Sequence, residues 1–310
     1  MLLAWSEFKY GKARKSDIQQ FSFNLEDNIF ALHQELKDKT YIHSPYQAFY
    51  IQDPKVRHIH KACVKDRIVH QALFRVLYHL FDNKFIYDSY SCRLDKGNHK
   101  AVYRLDKFLR QASFNFQKPI YALKCDIRKF FANIDQKILL TLIQKTIQDK
   151  DTLWLIQKIL ASFEVSPSIG LPLGNVTSQL FSNIYLNELD QFVKHTLRQK
   201  YYLRYCDDFI ILNQDKEYLE NIINILNDFL QIKLKVFLHP NKVSIRKVTQ
   251  GIDFLGYVAL PRYRVLRTKT KKRILRLLNK KNLSSYLGVL KHANTYSLKQ
   301  KLLNKIDRMK

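Results

Sequence analysis

Tyr201-Tyr202-Leu203-Arg204-Tyr205-Cys206-Asp207-Asp208-Phe209-Ile210-Ile211-Leu212 sets two adjacent aspartates between arms of Tyr, Leu, Ile and Phe. Aromatic and β-branched runs on both sides predict two strands, and the Asp207-Asp208 pair predicts the turn that reverses the chain between them. Asp favours turns for local hydrogen-bonding reasons, so the pair taken alone reads first as a simple solvated turn. A third acid lies upstream. Pro119-Ile120-Tyr121-Ala122-Leu123-Lys124-Cys125-Asp126-Ile127-Arg128-Lys129-Phe130-Phe131 reads as another apolar strand that ends in a carboxylate, ahead of a helix beginning near Asn133 or Asp135.

Ionised carboxylates crowded together raise one another's pKa, so such a cluster is unfavourable unless a cation neutralises it. Hard oxygen ligands select Mg²⁺ or Mn²⁺, and two such ions about 4 Å apart stabilise the attacking and leaving oxygens of phosphoryl transfer. The chemistry expected is that of a polymerase. Successive residues on an extended segment point to opposite faces, so Asp207 and Asp208 should not share one role. Asp126 and Asp207 are read as direct metal ligands. Asp208 is the supporting carboxylate, touching the metal through the bend of the turn or fixing the hairpin by hydrogen bonds.

Composition points the same way. The chain carries 53 Lys and Arg against 27 Asp and Glu, a formal charge of +26 over 310 residues, which implies a polyanionic partner and salt-dependent binding. An anionic membrane would need a basic amphipathic helix, and Arg264–Leu278 is the segment that could supply one; placed just after the predicted palm, it is better read as a groove-tracking thumb helix. With 46% hydrophobic residues and few Gly or Pro, the chain can bury a sizeable core and has no low-complexity linker. Cys63, Cys92, Cys125 and Cys206 make no Cys-x-x-Cys pair, which suggests neither zinc nor a disulfide framework and hence a reducing cytoplasm. No run is long and apolar enough for a signal peptide or a bilayer span.

Asp126 and Tyr205-Cys206-Asp207-Asp208, in that order with a Ser178-Gln179 helix start between them, resemble the palm of a reverse transcriptase, and the likeness runs from roughly Tyr50 to Tyr257. Within Gly170-Leu171-Pro172-Leu173-Gly174-Asn175-Val176-Thr177-Ser178-Gln179, most reverse transcriptases place Gln before the glycine where this chain has Leu173. That combination is similar to the reverse transcriptases of diversity-generating retroelements, which copy a template RNA with frequent errors at adenines. Asp88-Ser89-Tyr90-Ser91-Cys92-Arg93 and Gly251-Ile252-Asp253-Phe254-Leu255-Gly256-Tyr257 are similar to that family too, while Asp95-Lys96-Gly97 departs from its usual Gly-Lys-Gly. Leu173 also has a physical reading. A Gln over the incoming nucleotide could hydrogen-bond and a Leu cannot, so a mismatched pair would leave no polar group unsatisfied. The plain alternative is a core residue packing under the helix.

The resemblance implies further roles. It adds Ile127 to the metal set of Asp126, Asp207 and Asp208, with two Mg²⁺ ions and Mn²⁺ as a substitute. It brings Lys55 and Arg57 to the triphosphate of a dNTP, where the Arg fork suits phosphate, together with Leu173 and Gly174. Ser178 and Gln179 join Leu173 in fidelity and template contact. Lys242 becomes the general acid that protonates pyrophosphate, although a surface lysine is the plain alternative. Phe254, Leu255 and Gly256 become the primer grip. Arg67 and Arg93 are read as pairing with acids or template backbone. Partners implied are a template RNA, the RNA/DNA heteroduplex and a small accessory variability protein, with mutagenic retrohoming as the setting.

The expected fold is α+β, a right-hand polymerase: an N-terminal segment and fingers over 1–117, a palm over 118–258, and a short basic helical thumb over 259–310. Helices are predicted at Lys65–Phe81, Lys100–Gln111, Gln136–Gln148, Asn175–Arg198 and Glu217–Leu230. Hairpins are predicted at Tyr50–Ile59 and Tyr201–Leu212, a strand at Lys233–His239, and a primer-holding hairpin between Val243 and Tyr257. The residues after Tyr257 suit a short thumb, and no RNase H, integrase or endonuclease domain is expected among them. Two other readings stay open: a reverse transcriptase of another lineage, such as a group II intron relative or a phage-defence enzyme, and a non-catalytic RNA-binding protein on the same scaffold. Phe130 and Phe131 follow Asp126 where the resemblance places an aromatic against the sugar, and one of the two is expected to be core. Replacing Phe131 with Val should therefore admit ribonucleotides, read as UTP incorporation in primer extension; a variant that still excludes them removes Phe131 from this role.

Overall fold

A computed structural model describes residues 1–52 and 55–307, so Asp53 and Pro54 of the predicted Tyr50–Ile59 hairpin lie outside the described residues. In chain order the first elements are α1 (Leu2–Lys9), α2 (Ser16–Phe23), α3 (Leu25–Lys37), β1 (Gln47–Gln52), β2 (Val56–Lys61), α4 (Val64–Asp82), α5 (Asn98–Ala112), β3 (Tyr121–Asp126), α6 (Phe130–Asn133), α7 (Gln136–Gln144), α8 (Lys150–Ala161) and α9 (Val176–Gln191). There follow β4 (Tyr202–Tyr205), β5 (Asp208–Asn213), α10 (Lys216–Leu234), β6 (Ser244–Lys247), β7 (Ile252–Phe254), β8 (Tyr257–Leu260), β9 (Tyr263–Leu266), α11 (Thr268–Leu277), α12 (Leu283–Leu290) and α13 (Tyr296–Asp307). They form two compact units. One comprises Met1–Tyr87, Ile127–Phe192 and Asp228–Phe237; the other comprises Asp88–Asp126, Val193–Asn227 and Leu238–Lys310.

In the first unit, α4 buries Leu73, Leu77 and Phe81, spaced four residues apart along one side of the helix, and packs on α9, where His70 Nδ1 meets the Thr177 hydroxyl at 2.6 Å. Buried Asp66 is satisfied by the Tyr41 hydroxyl at 2.7 Å and the Ser44 amide at 2.9 Å, which ties the chain ahead of β1 to α4. Aspartates start two helices: Asp135 accepts from the amides of Lys137 and Ile138 at α7, and Asp149 from that of Thr152 at α8. The β1–β2 hairpin, in register Gln47↔Lys61 to Gln52↔Val56, is largely exposed. Its base is held where the His60 amide donates to the Leu173 carbonyl at 2.9 Å.

The second unit is built on an antiparallel sheet of order β4-β5-β3-β6. Period-two alternation decides its faces. Ala122, Leu203, Ile210 and Leu212 share one face and form a core with Val102, Leu105 and Leu109 of α5. Leu123, Cys125, Phe209 and Ile211 lie on the opposite face and are also buried. A β7-β8-β9 meander and the α11–α13 segment extend the same core through Phe254, Tyr257, Ile274 and Leu302.

Five expectations are corrected. The turn of the central hairpin is Cys206-Asp207, with Asp208 already in β5 and paired to Tyr205. No strand covers 233–239, because α10 runs on to Leu234, whose side chain is buried. The 136–148 helix stops at Gln144 and the 175–198 helix at Gln191, where a π turn over Phe192–Thr196 takes over. Finally, β6 joins the central sheet and leaves β7–β8 to form the hairpin near Tyr257. Ile210 is fully buried on the central strand, so Ile210→Ala should cost about 2–5 kcal/mol, measured as a lowered urea midpoint at unchanged slope.

Candidate active site

Pairing register decides where the acids meet. Asp126, the last residue of β3, lies directly opposite Asp208, the first residue of β5, and Tyr205↔Asp208 closes the two-residue turn that carries Asp207. Cys206 holds that turn in a left-handed conformation, φ 56. Like charges facing each other across strands repel, and two ammonium groups offset the repulsion. Lys242 Nζ stands 2.6 Å from Asp126 Oδ1, and Lys124 Nζ stands 3.1 Å from Asp208 Oδ2. Lys124 lies two residues before Asp126 and hence on the same face. It also donates to the Asp253 carbonyl of β7 at 2.8 Å, so one side chain joins the acids to the β7–β8 hairpin. Leu255 and Gly256 form the turn of that hairpin, with φ 49 and 89, and the Gly256 carbonyl accepts from the Arg267 amide at 2.9 Å. Phe254 is buried beside it.

Burial shapes the acidity of the site. It pushes the Asp207 carboxyl above its ordinary range, with Asp126 adding to the shift and Lys242 opposing it. Burial likewise raises Asp208 from 3.8 to about 6, opposed by Lys124 and reinforced by Asp126 and Asp207. The Cys206 and Cys125 thiols are driven up by burial and then by the adjacent aspartates, which makes them poor nucleophiles at neutral pH. Asp208 Oδ1 is buried without a hydrogen-bond partner among the described residues. An orphaned carboxylate oxygen in an acid cluster suits a hard divalent cation. Among the described residues no three His, Cys, Asp or Glu side chains close into a ready-made metal cage.

A residue that sequence reading passed over braces the turn. Arg204 of β4 is fully buried; it donates to the Cys206 carbonyl at 3.0 Å and to Ser89 Oγ at 3.1 Å. Its amide donates to the Asp88 carbonyl, its carbonyl accepts from the Tyr90 amide, and Ser89 thereby makes a parallel bridge at the edge of β4. Arg104 of α5 clamps the Asp88 carboxylate through Nε at 2.7 Å and Nη2 at 3.1 Å. The Asp88–Tyr90 stretch is therefore an edge brace for the β4–β5 hairpin. The signal available in the sequence was a charged residue between Leu203 and Tyr205, because an arginine inside an apolar strand is buried only when paired.

Ile127, Lys55, Arg57, Phe131, Leu173, Gly174, Ser178 and Gln179 all belong to the first unit. Ile127 is buried, and so is Phe130, whose ring lies 5.4 Å from that of half-buried Phe131; of the two, Phe130 is core. Leu173 is half-buried and its carbonyl receives the His60 amide. Gly174 has φ 116, and a Cβ there would sit 3.0 Å from Ile59 Cγ2, so glycine lets this segment close on β2, the strand that carries Arg57. Ser178 is buried in the first turns of α9 and Gln179 is exposed. Lys55 and Arg57 are exposed.

Comparison with known proteins adds an independent line. Residues 51–259 match the family described as reverse transcriptase (RNA-dependent DNA polymerase). The chain is 24% identical over 266 residues to Protein YkfC of Escherichia coli, covering 73% of this chain and 69% of that protein. It is 26% identical over 319 residues to the group II intron-encoded protein LtrA of Lactococcus lactis, covering 80% of this chain and 51% of that one, so it spans about half the length of LtrA. Among solved structures, telomerase from Candida albicans in complex with a fragment of telomeric RNA aligns with a TM-score of 0.58 at 14% identity, covering 85% of this chain and 54% of the other. Apo telomerase from Candida tropicalis aligns with 0.56 at 14% identity, covering 77% and 60%. These structures share the fold, which is the α+β polymerase fold expected from the sequence.

The raised pKa of Asp208 has a defined consequence. The folded chain holds that proton more tightly than the unfolded chain, so the stability contributed by Asp208 falls as pH rises from 3.8 to about 6. In metal-free buffer the loss of stability over this window should be smaller in Asp208→Asn than in the parent, read as urea midpoints across pH, and the Asp208 carboxyl carbon should titrate near 6.

Proposed function

Because the chain belongs to the reverse transcriptase family, we propose that it is an RNA-directed DNA polymerase that synthesises cDNA on a template RNA, error-prone at adenines as part of a diversity-generating retroelement. The observation that carries the polymerase reading is the register that sets Asp126 opposite Asp208 with Asp207 on the adjoining turn. The half-buried Leu173 before Gly174, with Ser178-Gln179 beyond, carries the subtype.

In this reading Asp126 and Asp207, with the adjoining main chain of Ile127, would hold Mg²⁺, and Asp208 supports them from its place beside Lys124. Bound divalent metal would supply charge stabilisation to the attacking and leaving oxygens. The primer 3′ hydroxyl gives up its proton to solvent as its oxygen bonds to the α-phosphorus of a dNTP and the bond to pyrophosphate breaks. Lys242, already an ammonium partner of Asp126, is assigned to protonate the leaving group. Lys55 and Arg57 bind the triphosphate, Phe131 bars a 2′-hydroxyl, and Phe254, Leu255 and Gly256 hold the primer end. Arg204 positions the turn. The partners assigned are template RNA, the RNA/DNA heteroduplex and an accessory variability protein. Among the described residues no helix is long and apolar enough to cross a membrane, and the four cysteines, all free, accord with a cytoplasmic setting. A second lineage is favoured by the likeness to the group II intron-encoded protein LtrA, and the same experiment separates the two.

Purified protein with Mg²⁺, all four dNTPs and a primed RNA template is expected to yield cDNA whose substitutions concentrate at template adenines. Asp207→Ala should lower yield at least about a hundredfold, the scale of losing a group that stabilises transition-state charge, and Leu173→Gln should reduce adenine errors. Asp208→Asn should keep more activity with Mn²⁺ than Asp207→Asn. Accurate cDNA would move the chain to the intron lineage, and product indifferent to Asp207 would overturn the active site.

A further inference from the structure

A second basic site lies within the second unit, away from the acid cluster. A cavity of about 730 Å³ opens between α5, the tip of the β8–β9 hairpin and the 291–294 loop between α12 and α13. Its volume falls in the range of pockets that bind ligands of nucleotide size. Five of its twelve lining residues are Lys or Arg and one is acidic, whereas 53 of 310 residues in the whole chain are Lys or Arg. Cations thus make up a larger share of this lining than of the chain as a whole.

The walls are tied to one another. Arg264 of β9 pairs with Asp106 of α5 at 2.9 Å and lies over the Tyr103 ring at 4.3 Å. The Tyr103 hydroxyl meets His292 Nδ1 at 2.9 Å, and His292 stacks on His99 with ring centres 3.7 Å apart. The Asn294 amide donates to the Arg264 carbonyl at 2.8 Å, which fastens the loop to β9. Asp106 is thus committed to Arg264, and Lys107, Arg110, Arg262 and Lys291 present exposed cationic heads around the opening. Arg262 stands at the hairpin tip in a left-handed conformation, φ 73, next to Tyr263, which is 53% exposed.

Exposed cations around a preformed hollow, with an exposed aromatic ring at the rim, match the chemistry of unpaired nucleotides: phosphates contact Lys and Arg, and a splayed base stacks on the aromatic face. A duplex keeps its bases paired and stacked inside, so none is free to enter a hollow of nucleotide size. We propose that this cavity is a binding site for a single-stranded RNA segment, separate from the acid cluster, with Arg110, Arg262 and Lys291 on phosphates and Tyr263 under a base. The inference takes RNA as the polyanion of the proposed function, and its test reads binding without synthesis, so the two can fail separately.

The test uses the full chain and a thiouridine-substituted oligouridylate, cross-linked by light, with cross-linked peptides mapped by mass spectrometry. Peptides carrying Tyr263 or Arg110 are expected among the adducts. The double variant Arg262→Glu, Tyr263→Ala should lose those adducts, bind the oligomer about tenfold more weakly, and show a salt slope shallower by about one, the share of one phosphate contact. Arg262→Lys should retain binding, and primer extension on a short duplex should be unchanged in both variants. Adducts confined to other peptides, or equal affinity in the double variant, would overturn the site. Displacement of the oligomer by polyglutamate at equal charge concentration would reassign the cavity to an acidic protein partner.

Discussion

The second unit is organised around two carboxylates that the strand register forces to face each other. Asp126 and Asp208 sit opposite on β3 and β5, and Asp207 follows on the turn. Such a cluster costs energy in a folded chain unless positive charge comes to it. Lys242 and Lys124 supply it, one from the loop after α10 and one from β3 itself. Both ammonium groups stand where an incoming divalent ion would compete with them, so the protein carries its own counter-charge at the point where its proposed chemistry needs metal.

The remaining constraints hold that arrangement still. Arg204 would be costly inside β4 without partners, and the partners it takes are the Cys206 carbonyl and Ser89. The turn that presents Asp207 is thereby pinned to the Asp88–Tyr90 edge, which α5 anchors through Arg104. Lys124 reaches the carbonyl of Asp253, so the β7–β8 hairpin shares a contact with the acids. In the first unit the corresponding device is Gly174, whose missing Cβ lets the start of α9 close on the strand that carries Arg57. The chain passes between the units at Asp126–Ile127, so the expected direct ligand and the residues that follow it are joined by a peptide bond yet packed in different units.

Much of this was legible from residue order. Apolar runs around Asp126 and Asp207-Asp208 marked three strands of one sheet, amphipathic spacing marked α4, α5 and α10, and the charge balance marked a polyanionic partner. Those signals survive in a linear sequence because they depend on local periodicity and on chemical type. The misplaced turn shows the limit. Asp207-Asp208 has the turn-forming composition, but pairing of Asp208 with both Tyr205 and Asp126 holds it in the strand and passes the left-handed position to Cys206. The expected strand at 233–239 failed because burial of Leu230 and Leu234 extends α10 past its local signal.

By itself, the sequence determined which residues could carry the chemistry, the α+β class and the family to which the chain belongs, since these follow from residue type, spacing and order. Tertiary structure alone decided which acid faces which, that Lys124 and Lys242 neutralise them, that Arg204 is an internal brace, and that β9, α5 and the α12–α13 loop enclose a basic hollow. Each depends on strand register or on contacts between residues more than a hundred positions apart, such as Asp126 with Lys242 and Tyr103 with His292. Side-chain periodicity reports which face a residue takes, and it carries no information about the partner found there.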